Sequence, residues 1–201
     1  MEEANPPEIW VKEIERLKRR VSKLEEQENL VVFYGSSTIR LWVHMAEDLA
    51  PYQTLNLGFG GSTYAWCLEF FEDLFQAVTP SHVVLYCGDN DLGQETEIEE
   101  ILSNIDLLIE KITGKYGVLP ISLVSVKPSL HRADLTEKIN KLNTSILARA
   151  EREDNLHFVD FYHALAKEGP SPDLFLSDGL HLNREGYEIL RSTIKNHLDT
   201  L

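Results

Sequence analysis

The chain has 201 residues, of which 43% are hydrophobic, and its formal net charge at pH 7 is -14. This length and apolar content predict one compact α/β domain whose core needs no disulfide bonds. A strongly acidic chain is poorly suited to bind nucleic acid or an anionic membrane surface, whereas a neutral or cationic small substrate stays open. No stretch reaches the roughly 20 apolar residues of a membrane span, so we expect a cytoplasmic protein.

The first predicted element is a helix from about Glu8 to Glu26. Its apolar residues recur every three or four positions and form a narrow stripe: Trp10, Ile14, Leu17, Val21 and Leu24. This spacing is typical of an amphipathic helix. We therefore treat residues 1–29 as a helix packed on the domain formed by residues 30–201. The same stripe also fits a helix that pairs with a second copy of the chain in a homodimer.

Strands and helices alternate beyond residue 29. Apolar runs that end at glycine, proline or polar residues predict five buried parallel strands, at 30–34, 54–57, 82–87, 121–126 and 157–160. Helices are predicted near 38–48, 64–77 and 134–152, after a capping box at 96–99, and after Asn183, which can cap the last one. This alternation predicts a doubly wound three-layer α/β/α sandwich with a flavodoxin-like five-stranded parallel sheet.

Four short segments, rich in glycine or polar residues, each follow a predicted strand. They are residues 35–38, 58–63, 88–91 and 178–181. Ligands of doubly wound sheets bind beyond the carboxyl ends of the strands. We therefore expect all four segments to face one crevice. Cys67 and Cys87 lie inside apolar runs without the spacing of metal ligands, and we expect both to be buried free thiols.

The residue types in these segments match the needs of acyl transfer. That chemistry requires a nucleophile, a base, a group that orients the base, and hydrogen-bond donors for the developing oxyanion. A serine at the start of the helix that follows the first predicted strand can attack the acyl carbon, and His181 can take its proton. Asp178, three residues earlier, can fix the tautomer of the imidazole. Glycine backbone and the amide of Asn90 supply donors without adding charge.

At this point the chain resembles the SGNH hydrolases, also called GDSL-type esterases and lipases. The four segments are similar to the four sequence blocks of that family and follow in the same order: Gly35-Ser36-Ser37, Gly60-Gly61, Gly88-Asp89-Asn90-Asp91 and Asp178-Gly179-Leu180-His181. The second block and the lack of chain length for a lid are most similar to the small platelet-activating-factor acetylhydrolase-like members.

The resemblance implies a serine esterase that needs no cofactor and no metal and acts on a small-molecule ester. By position, Ser37 would be the nucleophile, His181 the base and Asp178 its partner. The oxyanion hole would be formed by Ser37, Gly61 and Asn90. Ser36 replaces the aspartate that usually precedes the family's nucleophile, so two adjacent serines compete for that role, and Ser37 is the one that matches it.

The substrate itself is mostly left open by the sequence. Apolar residues near the predicted mouth can form a small acyl pocket: Phe59, Trp66, Phe175, Leu176 and Leu180. Because the five strand–helix units use up the chain, no lid domain is expected, and a short acyl group is favoured over a long lipid chain. The resemblance permits simple esters, thioesters, lysophospholipids and acetylated sugars.

Two functions of other classes remain as alternatives. In a flavodoxin-like phosphate- or nucleotide-binding module, Ser36, Ser37 and Thr38 would hold a phosphate at a helix N-terminus, although this gives Asp178 and His181 no role. A non-catalytic interaction protein on the same fold is the other. The 88–91 segment also resembles an acidic metal-binding loop, but no second acidic cluster supports a metal. We expect Asp91 to form a structural hydrogen bond instead.

Overall fold

The structure is a computed structural model that describes residues 8–25, 27–166 and 170–201. It contains strands β1 (Leu30–Gly35), β2 (Gln53–Gly58), β3 (His82–Tyr86), β4 (Ile121–Val124) and β5 (Leu156–Val159). All pair in parallel in the order β2-β1-β3-β4-β5. The predicted α/β sandwich is confirmed. The direction of strand addition reverses between β1 and β3, so a ligand crevice is expected at their carboxyl ends.

Helices cover both faces of the sheet: α1 (Glu8–Val21), α2 (Ser37–Arg40), α3 (Met45–Asp48), α4 (Tyr64–Glu69), α5 (Phe71–Phe75), α6 (Asp89–Gly93), α7 (Ile98–Tyr116), α8 (Thr136–Ala150), α9 (Phe161–Leu165) and α10 (Arg184–Leu198). Alternate residues of β1 enter two separate cores. Val32 and Tyr34 pack with α1, α4, α5, α7 and α8, whereas Val31 and Phe33 pack with α2, α3, α9 and α10. This is the period of two expected of a strand buried on both faces.

Helix α1 packs on the domain through its apolar stripe. Trp10, Ile14, Leu17 and Val21 are each at most 8% exposed. The ring of Trp10 meets that of Trp66 edge-on, with 4.9 Å between the centroids. The helix ends five residues earlier than predicted, and Glu26 lies outside the described residues. Because the chain itself covers the stripe, the sequence argument for a homodimer through this face is lost.

Two of the predicted helices are divided. The 38–48 segment forms α2 and α3, and the buried indole of Trp42 between them donates to Asp48 Oδ2 at 2.7 Å, which ties the intervening turn to α3. The 64–77 segment is interrupted at Phe70, whose ψ of 5° departs from the helical value. Helices α6 and α9 were not predicted because five residues are too few to show a helical period.

The predicted capping box at 96–99 is wrong. Helix α7 begins at Ile98 with Glu97 as its N-cap, and no side chain caps it. The N–H of Thr96 instead donates to the carbonyl of Asp91 at 3.0 Å. Thr96 therefore closes the turn that follows α6, one residue too early to cap the next helix.

A cluster of imidazoles lies at the amino ends of the central strands, at the opposite end of the strands from the crevice. His82 Nε2 and His197 Nε2 lie 2.8 and 2.7 Å from the same hydroxyl oxygen, that of Ser122. Burial, reinforced by the neighbouring His197 and His157, lowers the pKa of His82 to about 3. His82 is therefore neutral in the folded protein across the physiological range.

This cluster predicts a loss of stability in acid. Between pH 6.5 and 3, His82 binds a proton in the unfolded chain but stays neutral in the folded protein. The free energy of unfolding therefore falls as the pH falls through this window, by on the order of 4 kcal/mol. In urea titrations between pH 7 and pH 4, His82→Gln should show a smaller drop than the wild-type chain. Parallel pH curves for the two proteins would contradict the assignment.

Candidate active site

The first segment places one serine inside the protein and the next in the crevice. Gly35 ends β1 with a φ of +146°, and a Cβ there would lie 1.9 Å from the carbonyl oxygen of Tyr86. The N–H of Ser36 donates to that same oxygen at 2.9 Å, and Ser36 is only 2% exposed. The chain then turns into α2. Ser37, the first residue of α2, lines a cleft.

Ser37 is the first member of a hydrogen-bonded series. Its Oγ lies 3.2 Å from His181 Nε2, and His181 Nδ1 lies 2.7 Å from Asp178 Oδ2. The other carboxylate oxygen of Asp178 accepts the N–H groups of Leu180 at 2.9 Å and His181 at 3.0 Å. The hydrogen bond from the imidazole, followed by these two backbone bonds, holds the pKa of Asp178 well below its usual range. Because the ionised carboxylate can only accept a hydrogen bond, Nδ1 of His181 carries the proton. Nε2 is then free to accept a hydrogen bond from the hydroxyl of Ser37.

The loop that carries Asp178 and His181 is fixed at both ends. Leu176 N–H donates to His181 O at 2.8 Å, and Gly179 adopts a φ of +65° within the turn. Asn183 Oδ1 accepts the N–H of Gly186 at 3.1 Å, which confirms the predicted N-cap of α10. Asn183 Nδ2 also donates to the carbonyl of Asp173 at 2.7 Å. The imidazole is thus oriented by a closed turn and a capped helix.

Gly61 and Asn90 lie in the same cleft as Ser37 and His181. Gly61 has a φ of +71°, which favours glycine. Asn90 Nδ2 donates to the carbonyl of Ser62 at 3.0 Å. An amide nitrogen has two hydrogens. The bond to Ser62 therefore orients the side chain and leaves one hydrogen for the cleft.

Asp91 fastens the loop of Asn90 to the rest of the domain. It is 1% exposed, and its carboxylate accepts the N–H groups of Tyr64 at 2.9 Å and Gly88 at 3.0 Å. Burial raises the pKa of Asp91 to about 6, although these backbone donors act against the shift. The predicted structural hydrogen bond is confirmed.

The cleft has a volume of about 580 Å³. One wall is formed by α1, through Trp10, Lys12, Glu13 and Arg16, and Arg40 lies at the far end of α2. The four residues of α1 were missed because the sequence assigns this helix only a packing role, and Arg40 was missed because it lies outside the four sequence blocks. Nothing in a helical apolar stripe indicates which part of the domain the adjoining polar residues will face.

Of the apolar residues proposed for the acyl pocket, only Leu180 lines this cleft within the described chain. Phe59 is fully buried. Its N–H donates to Gly35 O at 2.9 Å and so continues the ladder between β2 and β1, and this backbone position directs the ring into the core. Phe175 is buried in a bridge to Leu182. Trp66 packs behind Trp10, and Leu176 is 49% exposed outside the lining.

A second aspartate–histidine pair has the same spacing and the same local geometry. Asp160 and His163 follow β5, with Nδ1 to Oδ2 at 2.8 Å and the N–H of His163 donating to Oδ1 at 3.0 Å. The side chain of His163 is 80% exposed. The cavity beside it is lined by residues that include asparagine, Thr144 and aromatic side chains, and no serine is among the described residues that line it. The spacing alone therefore does not identify the functional pair.

Fold and cleft together define a class of protein. A hydrogen-bonded serine–histidine–aspartate series at the carboxyl ends of a parallel sheet is an arrangement of serine hydrolases.

Among the described residues, no three histidine, cysteine or acidic side chains are grouped so that they can hold a metal ion. No helix within the described ranges combines the length and the apolar character of a membrane span.

The sequence profile of the GDSL-like Lipase/Acylhydrolase family matches residues 30–189. The chain therefore belongs to this family, as the four sequence blocks predict.

The curated relatives are longer than this chain. An N-acylneuraminate cytidylyltransferase of Streptococcus agalactiae is 28% identical over 190 residues, which cover 88% of this chain and 44% of that protein. The O-acetyltransferase OatA of Staphylococcus aureus is 30% identical over 118 residues, 59% of this chain and 16% of that protein. The chain thus spans less than half the length of the curated relatives it matches.

Solved structures show the same fold. A Streptococcus pneumonia protein, provisionally described as a platelet activating factor, superposes with a TM-score of 0.82 at 22% identity, covering 94% of both chains. A GDSL-like lipase of Bacteroides thetaiotaomicron has a TM-score of 0.77 at 24% identity and covers 93% of this chain and 97% of its own. The acetylxylan esterase Axe2 of Geobacillus stearothermophilus has a TM-score of 0.71 at 16% identity, covering 87% and 95%.

Proposed function

We propose that the protein cleaves short-chain carboxylic esters through an acyl-enzyme formed on Ser37. The observation that carries the proposal is the continuous series from Ser37 Oγ through His181 to Asp178, at 3.2 and 2.7 Å. A serine hydroxyl becomes an effective nucleophile when an oriented imidazole can take its proton. Ser36 is a poor candidate for this role because it is buried, whereas Ser37 lines the cleft.

The reaction has two halves. Ser37 Oγ attacks the ester carbonyl while His181 Nε2 takes its proton, and the ionised Asp178 stabilises the imidazolium. The imidazolium then protonates the leaving alcohol, which leaves an acyl group on Ser37. Water attacks this acyl group with His181 again as base, the carboxylic acid departs, and the proton returns to Ser37.

Three donors are proposed for the oxyanion: the N–H groups of Ser37 and Gly61 and the side-chain amide of Asn90. The support is that all three residues line one cleft and that Ser62 holds the amide in place. Donors that are fixed before the reaction stabilise the tetrahedral intermediate because they need no rearrangement as charge develops. No cofactor takes part in these steps.

The phosphate-binding alternative has less support. It requires the hydroxyl of Ser37 to serve a phosphate at the start of α2, but that hydroxyl contacts His181, and α2 has four residues. It also gives no role to the ionised Asp178. The non-catalytic alternative is disfavoured because each member of the hydrogen-bonded series is in place.

A short acyl group, with acetyl as the first choice, suits the cleft. The residues around Ser37 include Gly60, Gly61 and Leu180, and the far wall carries the charged side chains of Lys12, Glu13 and Arg16, past which a long acyl chain would have to run. A relative named an O-acetyltransferase adds support for an acetyl group. Cytoplasmic placement remains a proposal from the sequence.

A chain-length series tests the proposal. We expect kcat/KM for aryl esters to fall at least about tenfold from acetyl to decanoyl, since the longer acyl chain would have to lie along the charged side chains of α1. Intact-mass spectrometry after rapid acid quenching should detect the acyl group, and peptide mapping should place it on Ser37. Faster turnover of the decanoyl ester would refute the short-acyl assignment, and an acyl group on Ser36 would refute the assigned nucleophile.

A further inference from the structure

A second cavity adjoins the catalytic cleft. It has a volume of about 250 Å³ and shares Arg16 and Arg40 with the cleft, and it extends to Arg20. The three arginines come from two elements, α1 and α2, that are far apart in sequence. Together the two cavities extend from Ser37 to a region lined by guanidinium groups.

Arg40 lies close to the reacting atoms and lacks a strong partner. It is the last residue of α2, whose first residue is Ser37. Its guanidinium lies over Gly60, where an added Cβ would be 3.1 Å from Nε. That Nε atom is buried and has no hydrogen-bond partner among the described residues. The nearest carboxylate oxygen, Glu13 Oε1, is 3.6 Å away, beyond the range of a good hydrogen bond.

The charges around the two cavities do not balance. Arg16 Nη2 is also 3.6 Å from Glu13 Oε1, so two guanidinium groups share one carboxylate. Glu13 Oε2 already accepts the N–H of Gly60 at 2.8 Å. Among the described residues, Arg20 donates to a carbonyl alone, that of Asn56, at 3.3 Å. In the part of the chain that the structure describes, Glu13 is the one carboxylate that lines either cavity.

Some arginines elsewhere in the protein have stronger partners. Arg149, for example, forms two hydrogen bonds with Asp106, at 2.7 and 3.0 Å. A chain with a formal net charge of -14 has many carboxylates for such pairs. Arg16 and Arg40 instead share a single, distant carboxylate in the cleft that contains Ser37. A buried N–H without a partner costs free energy that a bound acceptor can recover.

We infer that the substrate is a short-chain ester whose alcohol part carries a carboxylate or phosphate, which binds Arg16 and Arg40 where the two cavities meet. The inference rests on the proposed function, because it places the ester at Ser37. Guanidinium groups recognise carboxylate and phosphate through paired hydrogen bonds. Because the overall charge repels anions, the arginines supply the local attraction that such a substrate needs.

Three acetyl esters with the same aromatic frame test this. They are meta-tolyl acetate, which is neutral, meta-acetoxybenzoate, which carries a carboxylate, and meta-acetoxyphenyl phosphate. We expect at least one anionic ester to exceed the neutral ester about tenfold in kcat/KM, as a charge-assisted hydrogen bond contributes. The better of the two anionic esters identifies the anion that the site takes.

Variants connect the preference to the arginines. Arg40→Gln and Arg16→Gln should each lower the ratio of anionic to neutral kcat/KM about tenfold. Arg40→Lys keeps the charge but loses the paired N–H donors of the guanidinium group. Its ratio should therefore lie between those of the wild-type protein and Arg40→Gln. Arg19→Gln is the matched control: Arg19 is also on α1 and exposed, but it lines neither cavity. It removes the same charge and should keep the wild-type ratio. Arg16 is 68% exposed, so its variant tests the site even if the Arg40 variants fold poorly.

A binding measurement separates this inference from the proposed function. Calorimetric titration of the Ser37→Ala protein with the same three esters should give tighter binding of the anionic esters. If wild-type protein hydrolyses all three esters equally, or if the ratio is unchanged in the Arg16 and Arg40 variants, the anion site is wrong and the esterase assignment stands. If no ester is hydrolysed, the proposed function fails, and the titration decides the anion site by itself: equal binding of neutral and anionic esters refutes it.

Discussion

Ser37→Ala is expected to lower kcat for meta-tolyl acetate by about 10⁶, because removal of the nucleophile abolishes the acyl-enzyme route and leaves only binding and oxyanion stabilisation. The folded structure should be unaffected, since the side chain of Ser37 lies in the cleft and its only hydrogen bond within the described chain is to His181. Stopped-flow hydrolysis gives the rate, and circular dichroism checks the fold.

Ser36→Ala is the matched control for this change. Ser36 is the N-cap of α2, but its side chain forms no capping hydrogen bond, and its backbone N–H to Tyr86 does not depend on the hydroxyl. We therefore expect its kcat to remain within about threefold of wild type, the scale of a change that removes no transition-state contact. The reverse pattern, an active Ser37→Ala and an inactive Ser36→Ala, would exchange the roles of the two serines.

His181→Ala should be as damaging as the serine change, with a fall in kcat on the order of 10⁶, because nucleophile and base act as one unit. For the same reason the double variant with Ser37→Ala should be little slower than either single variant. Burst kinetics with an activated aryl acetate should disappear, as no acyl group accumulates. A double variant that is slower by the product of the two single effects would show that the residues act independently.

His163→Ala is the control that the molecule itself provides. His163 contacts Asp160 as His181 contacts Asp178, with Nδ1–Oδ2 distances of 2.8 and 2.7 Å. It lies beside a different cavity, one without a serine. Activity should therefore be kept when His163 is replaced. Loss of activity in this variant would mean that the second pair has a part in the reaction that the geometry does not indicate.

Much of the fold could be predicted because buried parallel strands leave a local signal. The apolar runs around Val32, Val84 and Leu123 are continuous because both faces of the sheet are covered, and each ends at a residue that must turn the chain. Helix boundaries were less predictable. The ring of Phe70, where the 64–77 helix divides, packs on Phe59 and Trp66, and α7 begins at Ile98 after a turn closed by the Thr96–Asp91 bond. The apolar pattern of the sequence contains neither contact.

The sequence by itself determined that the proposed site residues lie at one edge of the sheet. Ser37, Gly61, Asn90, Asp178 and His181 follow strands, and parallel strands bring their carboxyl ends to one edge whatever the rest of the chain does. The tertiary structure added that the Asp178–His181 pair meets Ser37, as the family resemblance implies, while the Asp160–His163 pair lies beside another cavity, and that Phe59 points into the core. It also brought Arg16 of α1 next to Arg40 of α2, because docking of the apolar stripe of α1 fixes where its polar side faces. The anion site that we propose therefore depends on helix docking, to which sequence spacing gives no access.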